Sequence, residues 1–143
     1  KKMAAIVTDM SQPLGNMVGN SLEVIEAIEA LKGNGPKDLM DDVYALGQYM
    51  LTLSGYAANT DEAKEKLKNA IGTGKALDKL AELVEAQGGD RAFVYDPSKL
   101  AVAKKKLAVT AKENGYISGM DTQDIGTACM ILGGGSYRFV CGN

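Results

Sequence analysis

The chain has 143 residues, enough for one ordinary domain with a buried core. Apolar residues make up 45% and charged residues 24%, which excludes a disordered polar chain. With 16 Lys and Arg against 18 Asp and Glu, the formal charge of −2 offers no basic surplus for nucleic acid or an anionic membrane. In chain order, "AAIVT" (residues 4–8) is a short, almost unbroken apolar run of the kind that forms a strand buried on both faces of a sheet. A loop, "DMSQPLGNMVGN", leads into a helix expected over 21–32, with Asn20 and Glu23 as a capping box and Val24, Ile25, Ile28 and Leu31 as its apolar stripe.

"NGP" turns the chain into a second helix, 37–54, whose Leu39, Val43, Leu46, Met50 and Leu53 recur at helical steps. Asn59 and Glu62 read as another capping box for a helix to about residue 71, with Ala63, Leu67, Ala70 and Ile71 inward. After "GTG" comes a helix over 75–86 with Leu77, Leu80, Leu83 and Val84 inward, stopped by Gly88 and Gly89. "RAFVYDPSKL" reads as a loop or short strand, and 107–111 with 116–119 as a hairpin about Asn114-Gly115. Asp121 or Thr122 caps a last helix bearing Ile125, Ala128, Cys129 and Leu132, which ends at "GGG". The whole reads as helix-rich α/β, a mixed sheet flanked by helices, with no internal repeat.

Few residues carry chemistry. No histidine occurs, which removes the usual base near neutral pH and the commonest metal ligand. Cys129 and Cys141 lack disulfide or metal spacing, and Cys129 on an apolar helical face reads as a small core residue. No apolar run is long enough to span a membrane and no signal peptide is recognisable, so the compartment expected is the cytoplasm. Lys104, Lys105 and Lys106 read as a solvated strand entry. The glycines at 133–135 follow a helix, where glycine serves as a C-cap, whereas phosphate cradles precede one. "GTGKA" lacks the GK[ST] form of a Walker loop and reads as a helix–helix turn.

Asp9 stands after the first apolar run, either as a ligand or base at a strand end or as a turn former. Glu26 lies in the second turn of its helix, where side chains lean toward the N-terminus and so toward "PLGNM". One carboxylate beside carbonyls freed by irregular backbone makes an all-oxygen site for a hard, monovalent cation. The other reading is a solvated acidic face shared with Glu23 and Glu29.

"AAIVTDMSQPLGNMVGNSLEVIEAIEALKGNGPKDL", "ALGQYML", "QGGDRAFVYDPSKL" and "GYISGMDTQDIGTACMILGGG" closely resemble bacterial pyrimidine-nucleoside and thymidine phosphorylases, over residues 1–135. The resemblance implies part of the large α/β domain of a homodimeric, two-domain transferase. That transferase converts a pyrimidine nucleoside and phosphate to the free base and (deoxy)ribose 1-phosphate, with no nucleic-acid or membrane partner. It also implies a potassium ion held by the carbonyls of Leu14 and Met17 and the carboxylate of Glu26. Further ion ligands, and the family's phosphate- and base-binding residues, correspond to positions before this stretch, so no catalytic residue is assigned. The tail 136–143, "SYRFVCGN", departs from the family pattern. The expectation is a piece of such an enzyme, inactive alone and with its ion weakly held or absent. The alternatives are a non-catalytic interaction module or, less well matched at "DMSQPLG", a phosphoribosyltransferase of related fold.

Overall fold

The computed structural model describes residues 2–101 and 103–134. Gly135, Cys141 and the divergent tail 136–143 lie outside the described residues. More than half of what is described is helical, and no strand forms among the described residues. The elements in order are α1 (Asn20–Leu31), α2 (Lys37–Leu53), α3 (Thr60–Gly72), α4 (Lys75–Ala86), a one-turn α5 (Ala92–Tyr95), a 3-10 turn (Pro97–Lys99) and α6 (Thr122–Ile131).

Glycine signals place the helix ends. Gly33, Gly88 and Gly133 each follow a helix at positive φ. The amides of Asn34, Gly89 and Gly134 reach back to the carbonyls of Glu29, Val84 and Cys129. That backbone pattern satisfies carbonyls the helix leaves over, which is why these glycines are stops and not cradles. Gly74, at φ 77, starts α4, so "GTGKA" is a turn between helices.

α2 packs on α3, α3 on α4, and α4 on both α1 and α5. Close approach rests on small residues: Ala63 and Ala81 are fully buried, and Ile28 is 1% exposed. A Cβ on Gly47 would stand 2.8 Å from Leu67 Cδ1, so that glycine lets α3 lie against α2. One consequence corrects the expected α2 stripe. Its inner side runs through Met40, Tyr44, Gly47 and Leu51, whereas Val43, Leu46, Met50 and Leu53 are exposed, Met50 to 69%. The helix carries two apolar faces, and the one with the glycine takes the neighbour. Val24 and Leu83 are likewise exposed where inward positions were expected, and Ala128 and Leu132 of the last helix are exposed as well.

Three further expectations change. "RAFVYDPSKL" is helical and not a strand: Ala92 N–H donates to Asp90 Oδ1 at 2.8 Å to start the turn, and Val94 is buried. At α1 the cap is Gly19, not Asn20, and Asn20 takes φ 34 as the first helical residue. Glu23 still reaches back, accepting the Gly19 amide at 2.6 Å. The expected strand at 4–8 and hairpin at 107–119 find no ladder partner among the described residues, and Val7 is 97% exposed. A strand apolar on both faces needs neighbours on both sides to form.

Candidate functional site

The loop between the first apolar run and α1 is gripped by three helices. It opens with an Asx turn, in which Ser11 donates its amide (2.9 Å) and hydroxyl (2.6 Å) to Asp9 Oδ1. The hydroxyl first, and the amide second, hold the Asp9 carboxyl below its ordinary value. Of the two roles open to Asp9, the structure shows the turn former.

Carboxylates then take the loop amides in succession. Gly15 N–H donates to Asp38 Oδ2 of α2 at 2.9 Å. Asn16 N–H donates to Glu26 Oε1 at 2.9 Å, and Met17 N–H to Glu26 Oε2 at 3.3 Å. Glu23 closes the series at Gly19. The backbone bends at Gly15, φ 72, where a Cβ would overlap Glu26 Oε2. Glycine there provides both the left-handed conformation and the space into which the carboxylate enters. The Gly15 amide, ahead of the Leu39 amide, holds the Asp38 carboxyl below its usual range.

α6 supports the other side of the loop. Thr122 Oγ1 donates to Met10 O at 3.0 Å, and the Cys129 thiol faces Val18 O at 3.7 Å. Gly19 lies so close over this thiol that a Cβ would overlap the Sγ. Cys129 is therefore a half-buried packing group beneath the loop, near the role expected of it. An open cleft of about 1010 Å³ runs along the loop, lined among others by Asp9, Pro13, Leu14, Asp38 and Asp42.

Of the residues singled out in sequence, Met17 and Glu26 meet directly, and Leu14 immediately precedes the glycine that receives the Glu26 carboxylate. Glu26 is not a free member of an acidic face. Glu29 is separate, engaged with Lys32 and Asn34. Sequence reasoning missed Asp38, Thr122 and Cys129 as loop supports. An aspartate in a helix's first turn reads as a dipole partner, and only the fold brings it to a loop 23 residues away.

The described residues form a helix-rich segment with a glycine-bent loop clasped by helix-borne carboxylates. Pyrimidine-nucleoside phosphorylase of Staphylococcus epidermidis is 50% identical over 131 residues, 92% of this chain. Those of Bacillus subtilis and Geobacillus stearothermophilus are 47% and 46% identical over 135 residues, 94% of the chain. No family model matches the chain. The chain spans about 30% of the length of the curated relatives it matches. It is homologous to that portion of the pyrimidine-nucleoside phosphorylases, as the motif resemblance indicated. Among the described residues, no helix is long and apolar enough to cross a membrane.

Proposed function

We propose that the chain is the part of a pyrimidine-nucleoside phosphorylase that bears the cation loop of the phosphate site. In the whole enzyme, a phosphate oxygen bonds to C1′ of the (deoxy)ribose as the glycosidic bond to the pyrimidine breaks. The bonding electrons and a proton end on the departing base. The single observation that carries this reading is the Glu26 carboxylate seated in the bend of "PLGNM", against the amides of Asn16 and Met17.

The donor chemistry fits a monovalent hard cation: oxygen donors, one formal charge, and a bend at Gly15 that only a residue without Cβ allows. Leu14 and Met17 would offer carbonyls and Glu26 its carboxylate, and water or other parts of the enzyme would complete about six oxygens. A bound potassium ion would supply positive charge and a fixed oxygen shell beside the phosphate loop. The residues of this chain shape the backbone. The sheet expected at 4–8 and 107–119 would form against other parts of the enzyme, in a cytoplasmic homodimer.

The resemblance implies that the phosphate- and base-binding residues correspond to positions outside these 143. Purified chain supplied with uridine or thymidine and phosphate should therefore release no base, as followed by the ultraviolet difference between nucleoside and base. Steady turnover would overturn this reading. The self-contained packing of α1 to α5 favours a second reading, a helical interaction module. Mass spectrometry of the source protein separates the two: a much longer species supports the enzyme part, and a native species of this length supports the module.

A further inference from the structure

The Leu14–Gly15 peptide group has its N–H end held and its carbonyl end assigned a role. Gly15 N–H donates to Asp38 Oδ2 at 2.9 Å. A trans peptide is planar, with its N–H and C=O antiparallel, and no cis bond occurs among the described residues. The Leu14 carbonyl must therefore point away from the Asp38 carboxylate. Gly15 is free of the Cβ that would bias a neighbouring peptide plane, so this plane can flip at little steric cost. Something outside the loop has to fix it. Glu26 does not, because its contacts are to the next two amides.

We propose that Asp38 is a positioning residue that sets the direction of the Leu14 carbonyl and so the readiness of the loop to accept a monovalent cation. The cation half of this rests on the function proposed above. Two helices then share the work. α1 seats the carboxylate ligand, and α2, through its second residue, orients the carbonyl that faces away from α2. The competing account confines Asp38 to the start of its own helix, where an acidic residue favours the dipole. Asp61 occupies the same place in α3 and, among the described residues, makes no side-chain hydrogen bond to the loop, so it serves as the control.

The test uses the 143-residue chain as wild type, Asp38→Ala, Asp38→Asn and Asp61→Ala, each checked for helicity by circular dichroism. Amide hydrogen exchange at Gly15 reads the grip. The carbonyl carbon shift of Leu14 during potassium chloride titration, against a matched choline chloride titration, reads the cation. Losing a hydrogen bond to a charged acceptor should speed Gly15 exchange about tenfold in Asp38→Ala, with Asp38→Asn between it and wild type. The potassium midpoint at Leu14 should rise several-fold in the same order. Asp61→Ala should change neither. Gly15 exchange unaltered in Asp38→Ala, or altered equally in Asp61→Ala, overturns the positioning role. The titration is carried to molar potassium chloride, because the isolated chain offers only three of about six oxygens. A wild-type Leu14 carbonyl that responds no more to potassium than to choline even there overturns the cation half of this proposal for the chain alone, and the exchange measurement of the positioning role is independent of it.

Discussion

Gly15 shows how much one absent methyl group can decide. Its φ of 72 lies where an L side chain is strained, and a Cβ would overlap the Glu26 carboxylate. Gly15→Ala should therefore cost about 1–2 kcal/mol for the left-handed backbone alone, and more if Glu26 is expelled from the bend. Urea midpoints of wild type and variant measure it; a difference within 0.5 kcal/mol (roughly the ordinary surface range) would show that the bend is not held as described. Ile28 is the contrasting case. Enclosed by the bundle at 1% exposure, its loss in Ile28→Ala should cost about 2–5 kcal/mol by removing packing and leaving a cavity. At this scale the sequence was legible wherever a residue's role is local. Glu26 leans toward its own N-terminus because helix geometry makes it do so, and Asp9 bonds two residues ahead. Asp38 was not legible, because its acceptor role depends on how α2 is placed beside a loop 23 residues earlier.

Helices α2 to α4 could be read almost to the residue, since caps and glycine stops act within a few positions. α3 is the fullest example. Asn59 Oδ1 accepts the Glu62 amide at 2.9 Å, and Glu62 in turn accepts the Ala58 amide at 2.8 Å and pairs with Lys66 at 2.7 Å. Asn59→Ala should lower stability by about 1 kcal/mol. The pairing with Lys66 first, then the Ala58 amide, holds the Glu62 carboxyl below its ordinary value. The unfolded chain therefore takes up this proton at a higher pH than the folded one. The contribution is complete above the ordinary carboxylate range and is lost as pH falls through the lower folded value. Thermal melts of wild type and Glu62→Gln should accordingly differ at pH 6 and converge toward pH 3; a gap that widens on acidification would reverse the assignment. The faces of α2 were less legible, because periodicity finds an apolar stripe but not which of two stripes meets a neighbour. Gly47 decided it, through an approach to Leu67 that no spacing rule registers.

For the molecule as a whole, the contrast between a thin buried core, Ile28, Val94 and four alanines among the described residues, and the uncovered apolar side chains governs behaviour in solution. Exposed hydrophobic atoms are ordinary when scattered, but contiguous patches drive association. Val43, Leu46, Met50 and Leu53 line one exposed side of α2. Val7 at 97% exposure, and Leu107, Val109 and Tyr116, stand on segments whose backbone makes no sheet ladder among the described residues. Such segments were read as strands because their composition suits a sheet, and sheet pairing is the part of a fold least contained in any one stretch. The same physics predicts that the isolated chain self-associates through these surfaces. Light scattering over a concentration series should show a mass that rises above the monomer. Leu46→Lys with Met50→Lys should shift that rise to higher concentration by setting like charges on the α2 face. Neither substitution touches the loop carboxylates, so the Gly15 amide should keep its protection while association weakens. A monomer that persists at the highest concentration, with the wild-type α2 face intact, would mean that these apolar residues are covered by the chain's own fold.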